Sequence, residues 1–126
     1  MTVLASATPV TFIMTADAAR SRAFYAGTLG LPLGKQDEFA TVFDLGHMIL
    51  RVTEIPDFAA GPHPVLGWRV DDIAATVNAL TAEGTVFTVY DGYGQDGLGI
   101  WTAPDGSAKV AWFPDPDGNV LSLTQG

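Results

Sequence analysis

The chain has 126 residues, a single domain's length against the usual ~100–200 residues per domain, and its 48% hydrophobic content is enough to bury a core, which excludes intrinsic disorder. Six Lys+Arg against 14 Asp+Glu give a formal net charge of −8, and the basic residues Arg20, Arg22, Lys35, Arg51, Arg69 and Lys109 are scattered. No basic cluster is available to neutralise phosphates or to hold an anionic membrane surface, so neither nucleic acid nor membrane is an expected partner.

The segment Met1–Pro9 lacks a basic start followed by a long apolar core, and no apolar run approaches the ~20 residues that span a bilayer, so a soluble cytoplasmic protein is expected. Pro9–Thr15 is a short β-prone run. Asp17 can cap a helix over Ala18–Leu29, because its carboxylate accepts a free backbone N–H, and Gly30 with Pro32 ends it. Phe39–Asp44 and His47–Thr53 read as strands around the turn Leu45-Gly46. Residues 54–64 hold Pro56, Gly61, Pro62 and Pro64 and read as a linker. The first pattern then recurs. Val65–Val70 is a strand, Asp71-Asp72 caps a helix carrying Ile73, Val77 and Leu80 on one face, and Gly84 ends it. Thr85–Tyr90 is the most β-prone run of the chain, and the glycine-rich Asp91–Gly99 reads as a mobile loop. Strands over Ile100–Ala103, Ala108–Phe113 and Asn119–Thr124 complete the pattern.

Two halves thus repeat one order of elements: module one over about 9–53, the linker, and module two over about 65–125, together one domain over 1–126. Two segments carry a resemblance. One is Phe24-Tyr25 with Leu29-Gly30-Leu31, and the other is the turn Asp115-Pro-Asp-Gly-Asn119 before a strand; Asp71-Asp72 at the second helix also matches. On these the chain resembles the vicinal oxygen chelate superfamily of glyoxalases, bleomycin resistance proteins and extradiol dioxygenases, over about Pro9 to Gln125. The resemblance implies an α+β fold of two βαβββ modules, their strands forming a partly closed, barrel-like sheet around a cleft. It also implies, in the metal-dependent members, a divalent ion held by His and Glu from first and last strands.

Counting from the caps and turns puts those ligand positions at Val10, Leu50, Val65 and Ser122, which offer one weak hydroxyl between them. A divalent cation needs several carboxylate or imidazole ligands, so no metal and no other cofactor is expected. His47 and His63 fall off the expected positions, and with no cysteine there is no thiolate alternative. An atypical site using His47 or His63 stays open.

Alternation along the strands predicts what faces the cleft. On the parity of the four positions these are Val10, Phe12 and Met14; Met48, Leu50 and Val52; Val65, Gly67 and Arg69; and Val120, Ser122 and Thr124. Tyr90, Tyr93, Trp101 and Trp112 are candidate stacking walls. Arg69 could pair with a ligand carboxylate or phosphate, and the Asp91–Gly99 loop with Tyr93 and Gln95 could act as a lid. The candidate ligand-binding set is therefore Phe12, Met48, Leu50, Val65, Arg69, Tyr90, Tyr93, Trp101, Trp112 and Ser122, with no catalytic residue assigned. The expected function is metal-independent binding of a small organic molecule in an apolar, aromatic cleft; the acid excess would suit a cationic one. The alternative is a lyase, isomerase or dioxygenase-like enzyme of the same superfamily with an atypical metal or none. Members of the superfamily commonly dimerise, so a homodimer is the expected assembly.

Overall fold

Each half of the chain starts a helix with the same device. Asp17 and Asp72 sit in extended backbone, and their Oδ1 atoms accept hydrogen bonds from Arg20 N (3.1 Å) and Ala75 N (3.0 Å). Each satisfies one of the N–H groups that a helix start leaves without an internal partner. Gly30 (φ 70°) and Gly84 (φ 96°) follow the helical segments in the left-handed region that glycine adopts without a Cβ penalty.

The computed structural model describes residues 3–126. The strands are β1 (Val10–Thr15), β2 (Thr41–Asp44), β3 (Ile49–Glu54), β4 (Pro64–Arg69), β5 (Trp101–Thr102), β6 (Lys109–Pro114) and β7 (Val120–Gln125). The helices are α1 (Ala18–Arg22), which continues as a π-helical stretch over Ala23–Thr28, and α2 (Ile73–Ala82). This is an α+β chain with two separate sheets, ordered β1-β3-β2 and β4-β7-β6-β5, neither closed on itself. The chain divides into two compact units between Ala59 and Ala60, with one sheet in each.

In the first unit, β1 and β3 pair in parallel and β2 pairs antiparallel to β3. Ile13, Leu50, Val52, Phe43 and Tyr25 form its core, all at or near zero exposure. Tyr25 comes from the π-helical stretch and packs on Phe43, ring centroids 6.0 Å apart. The helix expected over Ala18–Leu29 therefore changes geometry at Ala23, where Leu29 N donates to Phe24 O five residues back. Where a further strand would complete the module, Leu33 makes a single antiparallel bridge to Phe43. Beyond it, the Gln36 side chain takes over as a strand surrogate. Its Nε2 donates to Val42 O (2.6 Å) and Gly34 O (3.0 Å), and its Oε1 accepts from Val42 N (3.0 Å). The strand expected from Phe39 starts instead at Thr41, because Phe39 N and Ala40 N donate to Asp37 Oδ1. The other Asp37 oxygen receives Arg51 Nη1 at 2.8 Å, and the Arg51 hydrogen bond, with that from Phe39 N, holds the Asp37 carboxyl below the usual carboxylate range.

In the second unit, β4 pairs in parallel with β7, and β6 lies antiparallel to β7 with the short β5 outside it. Leu66, Leu121, Leu123, Ala111 and Phe113 are buried on one side with Ile73 and Val77 of α2. The Gln125 side chain accepts from Ile73 N at 2.8 Å, tying the end of β7 to the start of α2. Asp115 is buried in the turn before β7, where its carboxylate accepts from Asp117 N, Asn119 N and Asn119 Nδ2 at 2.8–2.9 Å. Two strand expectations are corrected here. Ile100–Ala103 shortens to Trp101–Thr102, and Thr85–Tyr90 forms no ladder, making one sheet-like bond, Thr88 N to Trp112 O at 2.8 Å. The Gln95 side chain takes two further groups of this segment and one of Gly99: Oε1 accepts from Tyr90 N (2.7 Å), while Nε2 donates to Thr88 O (2.9 Å) and Gly99 O (2.8 Å).

Gln36→Ala leaves both backbone groups of Val42 without their side-chain partner, and should lower stability by about 1–2 kcal/mol. Amide hydrogen exchange should show protection lost at Val42 before it is lost at Val52. Arg51→Gln should raise the Asp37 titration midpoint toward the ordinary carboxylate value, read by NMR at the Phe39 amide. Because the folded value is depressed, the stabilisation by this pair is present above the ordinary carboxylate range and is lost as pH falls through the depressed value.

Candidate functional site

The second sheet presents one face to its core and one away from it, and the register defines the second face row by row. In parallel and antiparallel pairs alike, residues directly opposite point to the same side. One row runs Gly67 (β4), Ser122 (β7), Trp112 (β6). The next runs Arg69 (β4), Thr124 (β7), Val110 (β6), Trp101 (β5). Their neighbours Leu66, Leu121, Ala111 and Phe113 are the buried ones, so both rows lie on the face opposite the core.

Trp112 anchors an aromatic cluster on this face. Tyr90 and Tyr93 approach its ring edge-on, with centroids at 5.4 and 5.9 Å, and lie 5.3 Å from each other. The T-shaped arrangement matches the ring quadrupoles, negative face against positive edge. Tyr93 stays 52% exposed, so the cluster keeps an open side. It is held in place by Gln95, which fixes the backbone at Thr88, Tyr90 and Gly99. Trp101 stands one row away, opposite Val110, and its ring is not part of the cluster.

Gly67 contributes no side chain, and the space its Cβ would fill is taken by Ser122 Oγ. The floor beside Trp112 is therefore flat and carries one hydroxyl. Arg69 is exposed and makes no ion pair or hydrogen bond among the described residues. Val65 stands at an irregularity in the β4–β7 pairing, where Pro64 faces Val120 and Leu66 faces Leu121. Five expected residues of this half (Arg69, Tyr90, Tyr93, Trp112 and Ser122) thus share one surface, with Trp101 and Val65 at its margins.

The first unit departs from expectation on β3. Leu50 and Val52 are buried with Ile13, whereas Ile49 and Arg51 pair with Val10 and Phe12 on the opposite face. Leu50 is a core residue and cannot touch a ligand, so its place in the candidate binding set is corrected. Met48 lies in the turn before β3, half-buried, with its carbonyl accepting from Leu45 N. Phe12 is 57% exposed and stands beside Arg51. A hollow of about 350 Å³ on this unit is lined by Val10, Ile49, Arg51, Lys35 and Asp44 among others, and its arginine is already committed to Asp37.

The residues at the implied metal positions do not fit a divalent ion. Val10 and Val65 have no donor atom, Leu50 is in the core, and Ser122 supplies a neutral hydroxyl. His47 and His63 are exposed, and among the described residues no three His, Asp or Glu side chains converge as a ligand set. No helix among the described residues is long and apolar enough to cross a membrane.

The sequence pattern of the Glyoxalase/Bleomycin resistance protein/Dioxygenase superfamily matches residues 7–123. A comparison with curated proteins finds no match. Among solved structures, a glyoxalase family protein from Enterococcus faecalis superposes with TM-score 0.75 at 18% identity, covering 97% of this chain and 98% of that one. A lactoylglutathione lyase from Agrobacterium tumefaciens gives 0.71 at 18%, covering 96% and 94%. An integron cassette protein from the mobile metagenome of the Halifax Harbour sewage outfall gives 0.73 at 17%, covering 96% and 99%. At these identities the structures share the fold, and with the superfamily pattern running through 7–123 the chain belongs to the Glyoxalase/Bleomycin resistance protein/Dioxygenase superfamily.

Proposed function

We propose that this chain is a small-molecule-binding protein that holds an organic ligand on the outward face of its second sheet without a metal ion. The observation that carries the reading is the half-open cluster of Tyr90, Tyr93 and Trp112 beside the flat Gly67–Ser122 floor. Such a surface binds by burying apolar area, with a few polar groups to orient the ligand. Ser122 supplies a hydroxyl in the row of Trp112 and Thr124 one in the next row, and neither hydroxyl is engaged in a hydrogen bond among the described residues. Lyase, isomerase and dioxygenase readings carry less weight, because the positions that would hold their ion are Val10, Leu50, Val65 and Ser122. A homodimer belongs to the same reading; Val10 and Phe12, exposed on β1, are the apolar surface that supports it.

A panel of planar aromatic compounds should quench intrinsic tryptophan fluorescence and raise the melting temperature. Trp112→Ala should weaken the best binder roughly 3–10-fold, the measure of one lost aromatic contact; an unchanged affinity would remove the cluster from the site. Calorimetric titration with Ni²⁺ or Zn²⁺ should show no tight stoichiometric uptake, and a one-to-one site would overturn the metal-free part. Light scattering in solution should give the mass of two chains.

A further inference from the structure

We infer that the ligand class is a planar aromatic anion, its ring lying over Gly67 and Ser122 against Trp112 and its carboxylate paired with Arg69. This rests on the proposed binding role of the same face and adds the charge and shape of what is bound.

The charge follows from a contrast between two arginines on outward faces. Arg51 is neutralised in place, with Asp37 Oδ2 at 2.8 Å. Arg69 has no such partner among the described residues. Asp72 is near it in sequence but is occupied in capping α2, and neighbouring Asp71 makes no ion pair with it. An arginine fork left open beside an aromatic wall is complementary to a carboxylate, which it can take in a bidentate geometry.

The shape follows from the register. Gly67 and Trp112 lie in one row on either side of β7, so they are about 10 Å apart at the usual strand spacing of ~4.8 Å. Only Ser122 stands between them, and its Oγ leans over Gly67 rather than up into the space. Arg69 is two residues further along β4, about 7 Å away at ~3.3 Å per residue. A single or fused aromatic ring fits on this floor with its edge to Trp112 and its acid group toward Arg69, where Thr124 is the adjacent hydroxyl. The overall charge of −8 does not decide the matter, because distant surface charges are screened within ~10 Å at 0.1 M salt whereas a contact pair is not.

The test compares 1-naphthoate with its neutral analogue 1-naphthamide by calorimetry, on the wild-type chain and on Arg69→Gln and Gly67→Ala. The carboxylate should bind about tenfold more tightly than the amide to the wild type. Arg69→Gln should abolish that preference, lowering the carboxylate's affinity about tenfold more than the amide's. Gly67→Ala should weaken both probes. Its melting temperature should fall only slightly, since the added methyl displaces the Ser122 hydroxyl, a terminal atom that can rotate away, and meets Ser122 O at 3.2 Å, where the backbone has to give by a few tenths of an ångström. Equal binding of the two probes, or a preference that survives Arg69→Gln, overturns the anion inference and leaves the aromatic site standing. Failure of both probes to bind the wild type overturns the aromatic site as well.

Discussion

The surface on which the functional reading rests depends on the parallel pairing of β4 with β7. That pairing puts Gly67 beside Ser122 and Arg69 beside Thr124, and β7 passes the same register on to β6. A shift of one residue would turn Leu66 and Trp68 outward and bury an arginine. The irregularity at Val65 takes up the spare residue before the register settles, so it lies at the start of the strand and not within the floor. Pro64 is tolerated there because β4 is an edge strand and its missing N–H costs no central ladder bond.

The two units meet a shared difficulty with similar chemistry. Each has a segment after its helix that does not complete a ladder, and unpaired backbone groups next to a core are costly. In the first unit Gln36 answers Val42, and in the second Gln95 answers Thr88, Tyr90 and Gly99. A primary amide has a donor and an acceptor side by side, so it can imitate one step of a strand. The consequence differs between the units. Gln36 closes an edge of β2, whereas Gln95 fixes the backbone that carries Tyr90 toward Trp112.

What was legible in the sequence is what local chemistry decides. The caps Asp17 and Asp72, the glycines after the helical segments and the Asp115–Asn119 turn follow from short-range patterns, and the outward set Gly67, Arg69, Ser122 and Thr124 follows from strand alternation once the family resemblance supplies the positions Val65 and Ser122. The face of β3 did not follow, for a countable reason. Four residues separate Asp44 from Ile49, but five separate Pro114 from Val120, so Gly46 and Gly118 occupy different places in their turns. The same count from each glycine reaches opposite faces, Leu50 inward and Ser122 outward. Thr85–Tyr90 misled for another reason: strand propensity describes what a segment can join, and a side-chain amide from Gln95 had already taken its edge. The sequence signal for Gln95 was its place in a glycine-rich loop, which suggested a mobile lid and not a fastener.

The isolation of Arg69 also has a kinetic side. Around a chain of net charge −8 the far field repels an approaching anion, while the last few ångströms near an unpaired guanidinium attract it. The two ranges respond differently to ionic strength, since salt removes the distant repulsion first. Association of an anionic guest would therefore quicken as salt is added from a low starting level, the reverse of steered encounter between opposite charges. Dissociation, governed by the contact itself, would change far less. A guest held this way would arrive slowly and be kept by the ring contacts together with one short-range ion pair, so its discrimination would lie in how long it stays.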